Sequence, residues 1–190
     1  MLPPAFGMEN LNIKPLWVGD IKESMKKIYL DMDGVLADFV KGVEGPDYIN
    51  GPLEGEGHYD EQKADFINKR LFRNLPVMPG MLDLIALVKN TGLPWEILTA
   101  TGEINRPLVV ADKMAWIHQH VDPHVVVTCT IKGKHKAVFA KPGDVLVDDK
   151  KSNCDAWAAA GGISVHHTSM PSTLAQLEYL ANQEDLKVAN

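Results

Sequence analysis

Lys27-Ile28-Tyr29-Leu30-Asp31-Met32-Asp33-Gly34 is the stretch on which the reading of this chain turns. Three apolar residues bounded by charge predict a short buried strand, and Gly34 follows where the backbone must turn. Two carboxylates, Asp31 and Asp33, stand at the strand's carboxyl end. Val35 to Val43 then reads as the start of a helix.

A second acid pair closes a second apolar run, Val145-Leu146-Val147-Asp148-Asp149. Trp95–Thr99, Val125–Cys129 and Ile163–His166 read as further strands. Helices are expected from Glu61 to Leu71, Met81 to Lys89, Pro107 to His120, Asn153 to Ala160, and Leu174 to Ala181. In the second of these, Leu82, Ile85, Leu87 and Val88 form the apolar repeat. In the third it is Val110, Met114 and Ile117. Thr91-Gly92 and Gly161-Gly162 supply helix stops. Strands alternating with helices imply an α/β protein with a parallel sheet covered on both faces. Ligands of such sheets sit outside the carboxyl ends of the strands.

If the two acid-tipped strands are neighbours, four carboxylates converge. Packed like charges are costly without a cation. A hard divalent ion with oxygen ligands removes the difficulty, and magnesium suits a few carboxylates plus a substrate phosphate. The same ion would offset the repulsion between a carboxylate nucleophile and a phosphate ester. One acid can then attack phosphorus, while a second protonates the leaving alcohol and later activates water. Asp31 and Asp33 can divide these roles, and Gly34 lets the backbone leave the strand sharply beside them.

The bulk numbers set limits. The 190 residues suit one core domain with a small insertion. A net charge of −6 argues against a stable nucleic-acid partner. Lys132, Lys134, Lys136, Lys141, Lys150 and Lys151 nevertheless form a local basic cluster, read either as a solvated loop or as a focus for a small anion. No apolar run approaches the roughly 20 residues of a membrane span. The N-terminal residues lack the pattern of a secretory signal. A cytoplasmic setting is the expectation. Cys129 and Cys154 have no metal-ligand spacing, and Cys129 reads as buried filler. Residues 1–25 read as an irregular extension, 26–39 and 76–190 as the core domain, and 40–75 as a small cap subdomain.

Leu30-Asp31-Met32-Asp33-Gly34, Ile97-Leu98-Thr99-Ala100, a lysine before the fourth strand, and Leu146-Val147-Asp148-Asp149 follow one another in a recognisable order. Together they resemble the signatures of the haloacid-dehalogenase-like (HAD) phosphohydrolases. Within that superfamily, DMDGVLADF (31–39), LPVMPG (75–80), ILTAT (97–101), KMAW (113–116) and PGDVLVDD (142–149) resemble the 5'(3')-deoxyribonucleotidases. The resemblance implies a three-layer Rossmann-like sandwich with strand order 3-2-1-4-5 and a helical cap inserted after the first strand. It implies a magnesium-dependent phosphomonoesterase acting on a small phosphate monoester, a nucleoside monophosphate, and it makes a homodimer plausible.

Carried over by position, Asp31 is the nucleophile and a metal ligand. Asp33 is the general acid and base, with its backbone carbonyl on the metal. Thr99, with Ala100 beside it, meets the phosphate. Asp148 and Asp149 complete the metal site, with Asp149 favoured as the direct ligand and Asp148 acting through water or a lysine. Lys136 is favoured as the signature lysine over Lys132, Lys134 and Lys141. Lys113 matches a second basic position, with a helix-surface lysine as the alternative. Phe39 is read either as an aromatic that stacks on a base or as core. Asn153 is read as a helix cap and Trp157 as core. His166-His167 is read as surface, and Tyr48, His58 and Tyr59 as cap residues near substrate. A sugar-phosphate phosphatase, a nucleic-acid 3'-end phosphatase and a catalytically silent binding module remain the alternatives.

Overall fold

Strands rich in Val, Ile and Leu on both faces must be covered on both faces, and the fold does this with a central parallel sheet. The computed structural model describes residues 25–43 and 59–188; the side chains of residues 43, 59–62 and 184–188 are outside that description. Five strands, β1 (Lys27–Leu30), β2 (Trp95–Ala100), β3 (Val127–Thr130), β4 (Asp144–Asp148) and β5 (Ile163–His166), lie in the order β3-β2-β1-β4-β5. All four pairings are parallel. This is the order that the resemblance implied.

Side chains alternate across the sheet. Ile28, Leu30, Ile97, Val145, Val147 and Val165 join the larger core. That face packs on α3 (Met81–Asn90), α4 (Arg106–His120) and α6 (Met170–Val188) through Leu84, Val88, Trp116, Ile117, Leu177 and Leu180. Tyr29, Leu98 and Leu146 face the other way, onto Trp157 of α5 (Lys151–Ala159) and the 3-10 turn Gly133–Phe139. Trp157 is core, as expected, and donates its indole N–H to Asp144 O at 3.1 Å. Among the described residues, no helix is long and apolar enough to cross a membrane.

Several local expectations are corrected. No helix starts at Val35: residues 33–37 form a tight turn, and α1 spans only Phe39–Val43. The turn is closed by Gly34 N–H donating to Ala37 O and by Leu36 and Ala37 N–H both donating to Met32 O. In α3, Met81, Leu84, Ile85 and Val88 are buried, while Leu82 is 71% exposed. In α4 the inward face is Val109, Asp112, Lys113, Trp116 and Ile117, and Met114 lies on the exposed side. That face carries two charged residues, which apolar periodicity cannot register. Cys129 is only half-buried.

Between residues 44 and 75, the described elements are α2 (Tyr59–Asn68) and the 3-10 turn Leu71–Arg73. Tyr48 and His58 lie outside the described residues, as do the Tyr59 side chain and residues 1–24.

Candidate active site

Parallel register sets the two acid pairs side by side. Leu30 stands opposite Val147, and Asp31 N–H donates to Val147 O at 2.9 Å. Asp31 and Asp148 therefore leave adjacent strands at the same level. Carboxylate oxygens of Asp31, Asp148 and Asp149 lie within 4.8 Å of one another. The expectation of four converging carboxylates is corrected to three. Asp33 is not one of the three, and its Oδ2 accepts from Lys113 Nζ at 2.5 Å.

Lys136 sits between two of the three acids. Its ammonium is 2.8 Å from Asp31 Oδ2 and 2.5 Å from Asp148 Oδ2, and only 1% of its side chain is exposed. Burial disfavours the charged amine, but the two carboxylates outweigh it and raise its pKa. The turn Gly133–Phe139 brings it there in place of a full crossover helix. Lys134 and Lys141 are exposed, and Lys132 pairs with Glu103 at the surface.

The two acids of the second pair are held differently. Asp148 Oδ1 accepts from Lys150 N–H and from Asn153 Nδ2, each at 2.9 Å, and Oδ2 accepts from Lys136. Asn153 is thus not a helix cap. It lies inside α5, where Lys150 holds the cap position. Asp149 keeps its carboxylate beside Asp31 and Asp148. Burial first, then those two like charges, pushes its pKa to about 6. Burial and Asp31 also raise Asp148, against the pull of Lys136.

Gly34 makes the close approach possible. A Cβ there would lie 2.5 Å from Asp149 Oδ2, and its φ of +76° is left-handed. Behind Asp149, His166 Nε2 lies 2.9 Å from the Asp149 carbonyl, and His167 is buried with Nδ1 2.8 Å from Thr173 Oγ1. The surface placement expected for this pair is overturned for His167, while His166 stays partly exposed. Gly34, Met78, Pro79, His167, Thr168 and Met170 are among the walls of a cavity of about 500 Å³.

Across the cluster, Thr99 at the end of β2 is fully buried and accepts from Lys113 Nζ at 3.0 Å. Lys113 is not a surface lysine: it is 0% exposed and bridges Thr99 and Asp33. Ala100 is the partly exposed last residue of β2. Asp33 Oδ1 is buried and has no hydrogen-bond partner among the described residues. Burial is the main cause of its raised pKa, with Lys113 opposing it. Phe39 packs on Phe66 and Phe72, ring centroids 5.5 and 6.0 Å away.

The carboxylate cluster fits a hard divalent cation. Three oxygen donors converge, one carboxyl is destabilised as an anion by its neighbours, and a single lysine cannot balance all three. Two partners were not legible in sequence: Asn153, which a helix-start reading disguised, and Arg70, which binds Asp112 of α4 from just after α2.

No protein-family model matches the chain. A curated relative, the human cytosolic-type 5'(3')-deoxyribonucleotidase, is 26% identical over 144 residues, covering 65% of this chain and 70% of the relative. Among solved structures, a hydrolase from Streptococcus pneumoniae TIGR4 superposes with a TM-score of 0.50 at 13% identity. It covers 82% of this chain and 100% of that one. YfnB of Bacillus subtilis, described as a HAD-hydrolase bound to magnesium, gives 0.53 at 10% identity, covering 84% and 100%. The chain has the fold of the HAD-superfamily hydrolases.

Proposed function

We propose that this chain is a magnesium-dependent phosphomonoesterase of the HAD superfamily that works through an aspartyl-phosphate on Asp31. The observation that carries the reading is the meeting of Asp31, Asp148 and Asp149 within 4.8 Å at the carboxyl ends of adjacent parallel strands. Asp31, Asp149, Asp148 and the backbone carbonyl of Asp33 would hold the ion, with Asp149 in direct contact and Asp148 acting chiefly through Lys136. Bound there, magnesium would neutralise charge on the phosphoryl oxygens and lessen the repulsion between the ester and Asp31.

The chain's own residues divide the remaining work. Met32 N–H donates to Asp31 Oδ1 at 2.8 Å and Lys136 holds Oδ2, so the nucleophile is fixed before substrate arrives. Lys113, Thr99 and the neighbouring Ala100 would receive the phosphoryl group. An Asp31 oxygen attacks phosphorus, and the ester P–O bond breaks. Asp33, its pKa raised by burial, gives its proton to the departing alkoxide. The unpartnered Asp33 Oδ1 is the atom suited to that transfer. Asp33 then takes a proton from water, whose oxygen attacks the phosphorus and frees Asp31 and inorganic phosphate.

The substrate we favour is a (deoxy)nucleoside monophosphate. The human relative's name and the five matching segments from 31 to 149 support that choice. The relative's cytosolic type favours a cytoplasmic setting, and residues 40–75 are assigned as the cap over residues 26–39 and 76–190. Assay of the purified protein with magnesium against nucleoside monophosphates, sugar phosphates and a 3'-phosphorylated oligonucleotide tests the reading. Preference for nucleoside monophosphates supports it. Equal rates on all three classes remove the nucleotidase assignment. No phosphate release above the Asp31→Asn background removes the enzyme.

A further inference from the structure

Lys113 is the most deeply buried cation at the site, and its surroundings come largely from one short segment. Residues 70–75 carry the chain out of the cap and grip α4 at three successive points. Arg70 Nε lies 2.8 Å from both oxygens of Asp112, and its Nη2 makes a further short bond to the same carboxylate. The Phe72 ring lies under Lys113, with Nζ 4.9 Å from the centroid. Leu75 O accepts from the indole of Trp116 at 2.8 Å. Asp112, Lys113 and Trp116 share the inward face of α4.

Arg70 adopts this arrangement in a backbone conformation that non-glycine residues avoid, φ 58° and ψ 35°. Strain of that kind persists only where surrounding contacts over-determine it. The contact here is a forked bond to a carboxylate 1% exposed, whose charge must be matched where it lies. The guanidinium itself remains 41% exposed, so the segment is fastened from outside onto a buried acid.

We propose that Arg70 is a positioning residue, which by clamping Asp112 seats Phe72 against Lys113 and so holds the Lys113 ammonium between Asp33 and Thr99. The cap's exit segment and the acid that serves the leaving group are thereby mechanically coupled. Phe72 covers one side of the ammonium, and Asp33 and Thr99 take its hydrogen bonds. With the clamp released, Phe72 withdraws, water reaches Nζ, and the fixed orientation of Asp33 is lost. The catalytic part of this inference rests on the phosphohydrolase reading; the positioning part does not.

The test is amine labelling read by peptide mass spectrometry on the full chain, comparing wild type, Arg70→Lys, Arg70→Met and the double variant Arg70→Met/Asp112→Asn. The double variant removes both charges and leaves no buried acid unpaired. Lys136, buried elsewhere at the site, is the internal control. Labelling of Lys113 is expected to rise about tenfold in the double variant, less in Arg70→Lys, with Lys136 unchanged. Lys113 staying protected, or Lys113 and Lys136 rising together, overturns the proposal. A second readout compares an alkyl phosphate, whose leaving group needs a proton, with an aryl phosphate, which needs it far less. The alkyl-to-aryl ratio of kcat should fall about tenfold in the double variant, and an unchanged ratio refutes the coupling to Asp33. Wild type inert toward both esters would defeat the phosphohydrolase reading, while the labelling would still decide the clamp.

Discussion

Lys136 and Asp148 meet at 2.5 Å with 1% and 0% of their side chains exposed, one salt bridge inside a group of three carboxylates. Replacing Lys136 by Met leaves Asp148 and Asp31 without their shared cation. Breaking a buried pair from one side costs about 3–5 kcal/mol. The Lys136→Met protein should therefore melt far below wild type in chelator, and magnesium should recover more stability in it than in wild type. Thermal unfolding of both proteins with and without magnesium checks this; equal metal-induced shifts would contradict it.

The acid cluster also predicts how pH acts. Asp149 is raised to about 6 in the folded protein, above its ordinary 3.8. A carboxyl raised by folding favours the fold at low pH and weakens it as pH climbs toward 6. Magnesium reverses the sign, because the ion competes with the proton. Affinity for magnesium should be flat above pH 7 and fall about tenfold per unit below pH 6. Calorimetric titration between pH 5 and 8 measures it, and Asp149→Asn should abolish the dependence together with most of the binding.

His167 pulls the other way. Burial, helped by His166, holds its pKa below the usual 6.5. Protonation therefore favours the unfolded chain. The contribution of the neutral ring is complete above pH 6.5 and is lost as pH falls below it. Urea unfolding in chelator at pH 7.5 and 5.5 should show wild type losing more stability than His167→Gln. Parallel losses would count against this account.

Gly34→Ala should injure the site more than the fold. The left-handed φ of +76° costs an alanine about 1–2 kcal/mol, and the added methyl would strike Asp149 Oδ2. The loss of magnesium affinity should exceed that expected from the modest fall in melting temperature. Unaltered affinity in a folded Gly34→Ala protein would disprove the packing argument.

Asp33→Asn should reduce turnover by about 10²–10⁴-fold while leaving magnesium binding largely intact. Its side chain is engaged by Lys113, outside the carboxylate cluster. Steady-state kinetics beside calorimetry distinguish the two effects; a parallel loss of metal would reassign Asp33 as a side-chain ligand.

Much of the fold was legible because its signals are local. Apolar runs such as Val145–Val147 and stops such as Gly92 report strands and helix ends directly. The approach of Asp31 to Asp148 was conditional on the two strands being neighbours, an adjacency that the resemblance implied and the β1–β4 pairing supplies. What escaped was set by tertiary contact. The resemblance singled out Lys113, but its helix pattern allowed a surface lysine equally well, and only Asp33, Thr99 and Phe72 around it decide against that. Asn153 looks like a cap because Asn favours caps, and only the strand-to-helix turn shows that its amide reaches back to Asp148. His167 gave no sign of burial, since a lone histidine after a strand has no period to read.

β1 and β4 are neighbours in the sheet, yet α3, β2, α4 and β3 all lie between them along the chain. Joining them closes a very long loop, the slow kind of contact in folding. The proposed ion-binding centre can therefore form only once β4 has joined β1. A nascent chain still lacking β4 has no pair of acid-tipped strands to present, so it cannot sequester the cation prematurely.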